Sequence, residues 1–273
     1  GFVRFRRGNF SARWFLGGLF ESPYFDTSAA NDRRAISAAQ VTWSTPTLTL
    51  GAARAVYAPL GAWSNIGSHA FDIARGGPGR DQLFSLFGRW RFPADGFAVH
   101  GEWARYRLPG SLRELLVSPN HTQGYTLGLE WERGAVHTEA ELTYLQKSPA
   151  YRNLPEQTWY AGGAAPQGYT QRGQAIGASI GPGASSQWVA GDYVSGRWRA
   201  GLFAGRIRWD DDALFMLADS TEPRLRHDVS LFVGVRGQWR QVGGSVTVGR
   251  RLNPFYETDK TRTTTTLELR FTP

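Results

Sequence analysis

The sequence has no cysteine and a single methionine among its 273 residues. That excludes a disulfide scaffold and thiolate metal sites, and no calcium-loop spacing or histidine cluster points to another metal. No cofactor is expected. Also missing is any run of about 18 apolar residues, which excludes a transmembrane helix, and the mean hydropathy is -0.38. A membrane is not excluded by this. A barrel strand sets only alternate residues against lipid, so its mean hydropathy looks soluble while its period of two does not. Gly1-Phe2-Val3-Arg4 carries neither an initiator methionine nor a signal-peptide core, so the chain reads as a mature or N-terminally truncated product.

Lysine is scarce. The 31 basic residues, nearly all arginine, stand against 23 acidic ones for a net charge of +8. Arginine-rich loops suit acidic glycans and the phosphates of lipopolysaccharide. They would suit nucleic acid too, but no basic helix or nucleic-acid motif accompanies them, and no such partner is expected. Most of this charge is expected to be solvated loop and lumen charge.

What is abundant is glycine, at 33 residues, together with aromatic side chains at 14%. Both concentrate in residues 158 to 210. There a loop rich in aromatics, glycine and proline ends in the polar turn Gly168-Tyr169-Thr170-Gln171-Arg172-Gly173-Gln174, followed by two extended segments. Ala161 to Pro166 and Gly181-Pro182-Gly183 must be ordered turns or mobile loop, because these residues favour backbone angles that helices and strands avoid. Loops this long usually carry function or are disordered. A second irregular stretch runs through residues 58 to 80, with Trp63, Asn65, His69 and Asp72 among glycines and a short helical pattern from Ala70 to Arg75.

Elsewhere a period of two keeps returning. Trp14, Leu16, Gly18 and Phe20 share one face of a segment ended by Glu21-Ser22-Pro23, and residues 26 to 34 read as a polar loop. Two extended segments follow, Ala35 to Thr45 and Thr47 to Tyr57. Phe84, Leu86, Gly88, Trp90 and Phe92 then lead through the turn Pro93-Ala94-Asp95-Gly96 into Phe97, Val99, Gly101 and Trp103. The clearest hairpin alternates Tyr125, Leu127, Leu129 and Trp131 with Glu130 and Glu132. After Arg133-Gly134 it sets Val136, Ala140, Leu142 and Tyr144 against His137, Glu139 and Glu141. Near the C-terminus Val229, Leu231, Val233, Val235 and Trp239 oppose Ser230, Arg236, Gln238 and Arg240, and a last strand opposes Leu267, Leu269 and Phe271 to Thr266, Glu268 and Arg270.

The count is about 12–14 segments of roughly 9–12 residues, the length a tilted strand needs to cross a membrane. Strands of a soluble sandwich are shorter, and their apolar faces would have to fill one core. Here charges line one face while aromatics gather at strand ends, as in membrane-interface girdles. The expected fold is all-β: a transmembrane antiparallel β-barrel forming a single domain over residues 1–273, with long loops near 58–80 and 148–186, in the bacterial outer membrane.

Against this background a family resemblance emerges. Gly168-Tyr169-Thr170-Gln171-Arg172-Gly173-Gln174-Ala175-Ile176-Gly177, then Ile180-Gly181-Pro182-Gly183 and the strand Gln187 to Asp192, resemble the signature loop of the Wzi family of capsule-assembly outer-membrane proteins. Arg113-Glu114-Leu115, Ser118-Pro119-Asn120-His121 and Gly124-Tyr125-Thr126-Leu127-Gly128 add to it, and the resemblance covers roughly residues 80 to 215. It implies a non-enzymatic, lectin-like barrel that binds capsular or other surface polysaccharide and helps to anchor or assemble capsule. Family members are longer and carry a helical periplasmic part, which implies that N-terminal strands are missing here.

Glycan binding uses aromatic faces against sugar C–H groups and planar donors against hydroxyls and carboxylates. Trp159, Tyr160, Tyr169, Arg172 and Gln174 are the first candidate set, and Trp63, Asn65 and His69 a second. Each aromatic could instead pack a loop or anchor the membrane interface. The expected partners are surface polysaccharide, outer-membrane lipid and lipopolysaccharide, and the chain is read as a monomer. A porin is the main alternative, because Glu130, Glu139 and Glu141 against Arg236, Arg240 and Arg270 would set a transverse field in an open pore. An enzyme is a weaker one. His100, His121, His137 and His227 sit in no nucleophile motif, and Glu139 and Glu141, two apart on one strand face, read as lumen charge rather than a glycosidase pair.

Overall fold

A computed structural model describes residues 1–24, 33–75, 77, 79–106, 108, 111–117, 123–146, 159–165, 167–218 and 225–271. Most of the polar loop read at 26 to 34, and the motif Ser118-Pro119-Asn120-His121, lie outside the described residues, as do Gly76, Pro78, Thr158 and Pro166; of Glu114 and Leu115 only the backbone is described.

Antiparallel strands dominate. The first eight are β1 (Phe2–Arg7), β2 (Phe10–Phe20), β3 (Arg33–Ser44), β4 (Leu48–Pro59), β5 (Asp81–Phe92), β6 (Phe97–Arg105), β7 (Gln123–Arg133) and β8 (Val136–Tyr144). Two short ones follow, β9 (Thr170–Gln171) and β10 (Gln174–Ala175), and then β11 (Ser185–Ser195), β12 (Trp198–Arg208), β13 (Val229–Trp239), β14 (Val242–Leu252) and β15 (Thr261–Phe271). All but β9 and β10 form one 13-stranded sheet in which neighbours in sequence are neighbours in space, β11 following β8; β9 and β10 pair with each other. Short turns such as Gly134-Ala135, between Arg133 and Val136, alternate along the chain with long connections. No described helix is long and apolar enough to cross a membrane.

The chain divides into two compact units, one of Gly1–Gly88, Glu102–Gly124 and Lys147–Pro182, the other of Arg89–Gly101, Tyr125–Gln146 and Gly183–Pro273. In the first, register places Trp14, Leu16 and Phe20 of β2, Ala39 and Val41 of β3, and Leu50 and Ala52 of β4 on one apolar face. The opposite face carries Arg13, Gln40, Thr42 and Thr49 at one end of the strands and turns apolar at the other. There Leu19, Ile36, Ala38, Ala55 and Tyr57 form a buried cluster with Ala165, and Tyr169 packs on it.

The second unit keeps its two faces distinct along the whole strand. Leu231, Val233, Val235 and Trp239 of β13 are exposed beside Val242, Val246 and Val248 of β14 and Leu267 and Phe271 of β15. Arg236 and Gln238 point the other way with Ser245 of β14 and Glu268 of β15. An exposed apolar belt over a polar, ion-paired face is the pattern that a strand between lipid and a polar interior imposes.

Candidate functional site

The loop read as the centre of the chain is tied to its unit at two points. Asp81, the first residue of β5 and 7% exposed, accepts from three successive backbone N–H groups, those of Gly163, Ala164 and Ala165, each at 3.0 Å, and from the Tyr106 hydroxyl at 3.0 Å. A carboxylate facing three amide donors is a strong local clamp. Arg34, 1% exposed, donates to the Gly168 carbonyl at 2.5 Å, to the Thr170 carbonyl at 3.1 Å, to the Thr170 hydroxyl at 3.2 Å and to the Phe20 carbonyl at 3.0 Å.

Between these clamps the first candidate set separates. Trp159 and Tyr160 are buried. The Trp159 indole donates to the Gln123 carbonyl and the Tyr160 hydroxyl accepts from the Ala178 amide. Tyr169 is half-buried and stacks on Tyr160, with their centroids 6.2 Å apart, and packs tilted against Tyr57 at 5.6 Å. Burial pushes the phenols of Tyr160 and Tyr169 up, so both stay neutral. Trp159 and Tyr160 of the first set are thus placed inside their own loop, where they pack and satisfy buried backbone groups. Arg172 and Gln174 are exposed. They flank Gly173 in a two-residue hairpin turn in which Arg172 and Gly173 both have positive φ, 51° and 83°. A turn of this hand suits the twist of the paired strands and favours glycine at its second position.

The second set lies on the other face of β2–β4. Trp63 packs beside Phe20 at 5.5 Å, on the apolar face, and remains 41% exposed. Asn65 is exposed, while His69 Nδ1 sits 2.7 Å from Asp72 Oδ2. The two sets approach each other at Phe20, whose ring has Trp63 at 5.5 Å and the Arg172 guanidinium at 6.0 Å.

In the second unit the polar face carries a continuous array of charge. Arg89 pairs with Glu130. His100 lies between Glu130 and Glu141, with its ring nitrogens 3.3 and 3.5 Å from their oxygens. Arg236 donates to Asp192 at 2.5 and 2.8 Å and to Glu139 at 2.9 Å, and Arg199 reaches Asp192 at 2.5 Å. Glu130, Glu139, Glu141 and Arg236 are thus brought onto one face. Arg240 is not. It lies in the turn after β13, with φ 51° and its guanidinium 5.1 Å from the centre of the exposed Trp239 ring. The strand ends one residue earlier, so the period that put Arg240 on the polar face no longer applies there.

Beside this array a cavity of about 470 Å³ is lined by Trp188, Arg199, Phe203, Arg236, Gln238, Ser245, Glu268 and Arg270. Arg236 stands 5.5 Å over the Trp188 ring. Arg199 Nε is buried with no acceptor, a donor position that a bound oxygen would satisfy. The cavity therefore offers aromatic faces, several arginine donors and one carboxylate. Sequence reading did not single out Trp188, Asp192 or Arg199, although the period in Trp188-Val189-Ala190-Gly191-Asp192 put Trp188 and Asp192 on one face. Asp81 and Arg34 were also missed, since nothing local distinguishes a clamp from an ordinary strand-end charge. Each of the four described histidines sits against a carboxylate, and His121 lies outside the described residues. No group of residues suited to a metal is present among the described residues.

No family model and no curated protein matches the sequence. Among solved structures, a carbohydrate-binding β-barrel, the outer-membrane protein Wzi involved in group 1 capsule assembly in Escherichia coli, aligns with 96% of this chain at a TM-score of 0.62 and 14% identity. The chain spans about half, 54%, of that protein's length. A triple mutant of the Rh. blastica porin aligns with 99% of the chain and 75% of its own at a TM-score of 0.45 and 10% identity. For Pseudomonas putida OprB the figures are 98%, 70%, 0.47 and 11%. Identities this low speak to fold alone, and the fold is that of an outer-membrane β-barrel.

Proposed function

We propose that this chain is the barrel portion of a Wzi-like protein of the bacterial outer membrane, one that binds an acidic surface polysaccharide without processing it. The observation that carries this reading is the cavity on the polar face of β11–β15, where Trp188 and Phe203 offer ring faces and Arg199, Arg236 and Arg270 offer planar donors. Sugar C–H groups stack on such rings, and uronic carboxylates pair with guanidinium groups in two parallel hydrogen bonds. The carbohydrate binding stated for Wzi agrees with it.

The direct test is binding of detergent-solubilised protein to a uronic-acid-containing capsular polysaccharide and to a neutral dextran. The acidic polymer is expected to bind and the dextran not. Trp188→Ala should weaken binding about 3–10-fold, the loss of one stacked ring. Equal binding of the two polymers, or an unaffected Trp188→Ala, overturns the reading. In cells, deletion of the gene should release otherwise normal capsule.

The acid–base array favours a second reading, a solute channel. Glu130, Glu139 and Glu141 share one face with Arg89, Arg199 and Arg236, and a charged, polar lining of this kind is what a pore for hydrophilic solutes requires. Steady single-channel conductance in planar bilayers would establish that reading, and silence would leave the binding protein.

A further inference from the structure

The connection between β4 and β5 contains a 3₁₀ segment, Trp63–His69, and a short helix α1, Asp72–Arg75. It lies where a barrel strand would ordinarily meet lipid. Ala35, Ser37, Val56 and Ala58 share the apolar face of β3 and β4 with Val41 and Leu50, which are 51% and 49% exposed, yet the first four are all buried. The connecting segment covers them. The Ser37 hydroxyl donates to the Ala70 carbonyl at 3.1 Å and Arg54 donates to the Ile73 carbonyl at 2.7 Å. The Trp63 ring fills the space over Gly18, where a Cβ would stand 2.1 Å from it. Two polar side chains on a lipid-side face thus donate to backbone carbonyls laid across them.

The outer surface of the segment carries two large rings among small and uncharged polar residues such as Ser64, Asn65 and Ser68. Trp63 is 41% and Phe71 68% exposed. The segment's one carboxylate, Asp72, is buried between His69 and Arg80, so no negative charge faces outward from it. Around it the charge is positive. Arg33 is exposed and shares the face of Phe20 in register, Arg172 lies over the Phe20 ring at 6.0 Å, and Arg75 is exposed at the end of α1. An aromatic surface edged with arginine, contiguous with a lipid-facing strand surface, matches the headgroup zone of an anionic membrane.

We propose that residues 63–75 form an interfacial strap that lies flat against the barrel wall, inserts Trp63 and Phe71 at the headgroup–acyl boundary and holds anionic lipid headgroups through Arg33, Arg75 and Arg172. The strap rests on the barrel fold and is independent of any glycan.

The absence of cysteine allows single-site labelling of the full chain. An environment-sensitive fluorophore on Phe71→Cys is reconstituted in phosphatidylcholine vesicles with and without phosphatidylglycerol, together with lipids carrying nitroxides at shallow or deep acyl positions. Ala74→Cys serves as a second strap site should Phe71→Cys fail to fold. Val233→Cys, on the exposed face of β13, and Asp95→Cys, in the exposed β5–β6 turn, bracket the response. The strap label is expected about 5–10 Å below the headgroup plane, quenched most by the shallow nitroxide and blue-shifted when phosphatidylglycerol is present. The Val233 label should be quenched most by the deep nitroxide and the Asp95 label by neither. Water-like emission without quenching at both strap sites overturns the proposal. Disulfide formation between Phe71→Cys sites of two molecules also overturns it, by assigning the surface to a second copy. Depth that ignores phosphatidylglycerol overturns the role given to the arginines.

Discussion

β2–β4 and β13–β15 are strands of nearly equal length, built on the same period of two and hydrogen-bonded in the same antiparallel way, yet they live in different surroundings. Residues Ala35 to Ala38 of β3 are buried in succession, whereas every residue of β15 is exposed. Position accounts for part of the contrast, since β15 is an edge strand of the sheet, and composition for the rest. The polar-side positions of β2–β4 near the long connections are Leu19, Ile36, Ala55 and Tyr57, which a loop must cover. Those of β13–β15 include Arg236, Gln238, Ser245, Thr247, Thr266 and Glu268, which stay wet or pair with one another. One region is stabilised as a small globular core is, by two-sided burial. The other is held by its backbone ladder and ion pairs, with its apolar face left to the lipid.

Asp81→Ala should break the first region most severely. It strips the acceptor from three backbone N–H groups and the Tyr106 hydroxyl, and leaving several buried donors unsatisfied costs about 4 kcal/mol. Rapid protease cleavage within residues 159–182 of the detergent-solubilised variant would report the release, while β11–β15 stay protected. An unchanged digestion pattern would show that Asp81 is no clamp. Arg236→Met tests the second region. Asp192 keeps Arg199 as a partner, so the cost is about 2 kcal/mol. It should appear as a lower unfolding midpoint in detergent with the loop as protease-resistant as before.

This contrast was partly written in the sequence. The alternation of β7, β8 and β13 is clean because each faces lipid on one side and water or ion pairs on the other, so the fold class could be read there directly. In β3 and β4 the runs Ala35-Ile36-Ser37-Ala38-Ala39 and Ala52-Ala53-Arg54-Ala55-Val56-Tyr57 break the alternation. A strand with apolar residues on both faces is covered on both faces. That signal marked where the two long connections dock, but it could not say which connection takes which side. Site residues were harder to read. Residue type alone does not tell a ring that faces a sugar from one that packs its own loop; Tyr160 does the latter, its ring filling the space over Gly177. The polar-face charges were legible because period two fixes their side. Their partners in β11 and β12 depend on a register set by strands far apart in sequence, which no local pattern reveals.

Gly173→Val sharpens the comparison by touching only the docked loop. The position has φ 83° and its ideal Cβ would lie 3.1 Å from Ser22 Cβ. A branched side chain forced into the left-handed region costs about 1–2 kcal/mol. The expected outcome is faster local hydrogen exchange in residues 168–177 with no shift of the global midpoint. Fast exchange spreading through β2–β4 would mean that the hairpin and the strands open as one unit.

The smallest effect is expected at Arg240, and its smallness is informative. Were Arg240 part of the charge array, its loss would resemble that of Arg236, with a lower midpoint and altered glycan binding or conductance. The structure instead sets it in the exposed turn between β13 and β14, where its amide donates to the Arg197 carbonyl and its guanidinium lies over Trp239. Alanine retains that amide and gives up only an exposed cation–π contact of about 0.5 kcal/mol. Arg240→Ala should therefore leave unfolding, polymer binding and conductance at wild-type values in parallel assays with Arg236→Met. A loss of binding at Arg240 comparable to that at Arg236 would move the binding surface from the polar face of the strands to the turns at their ends.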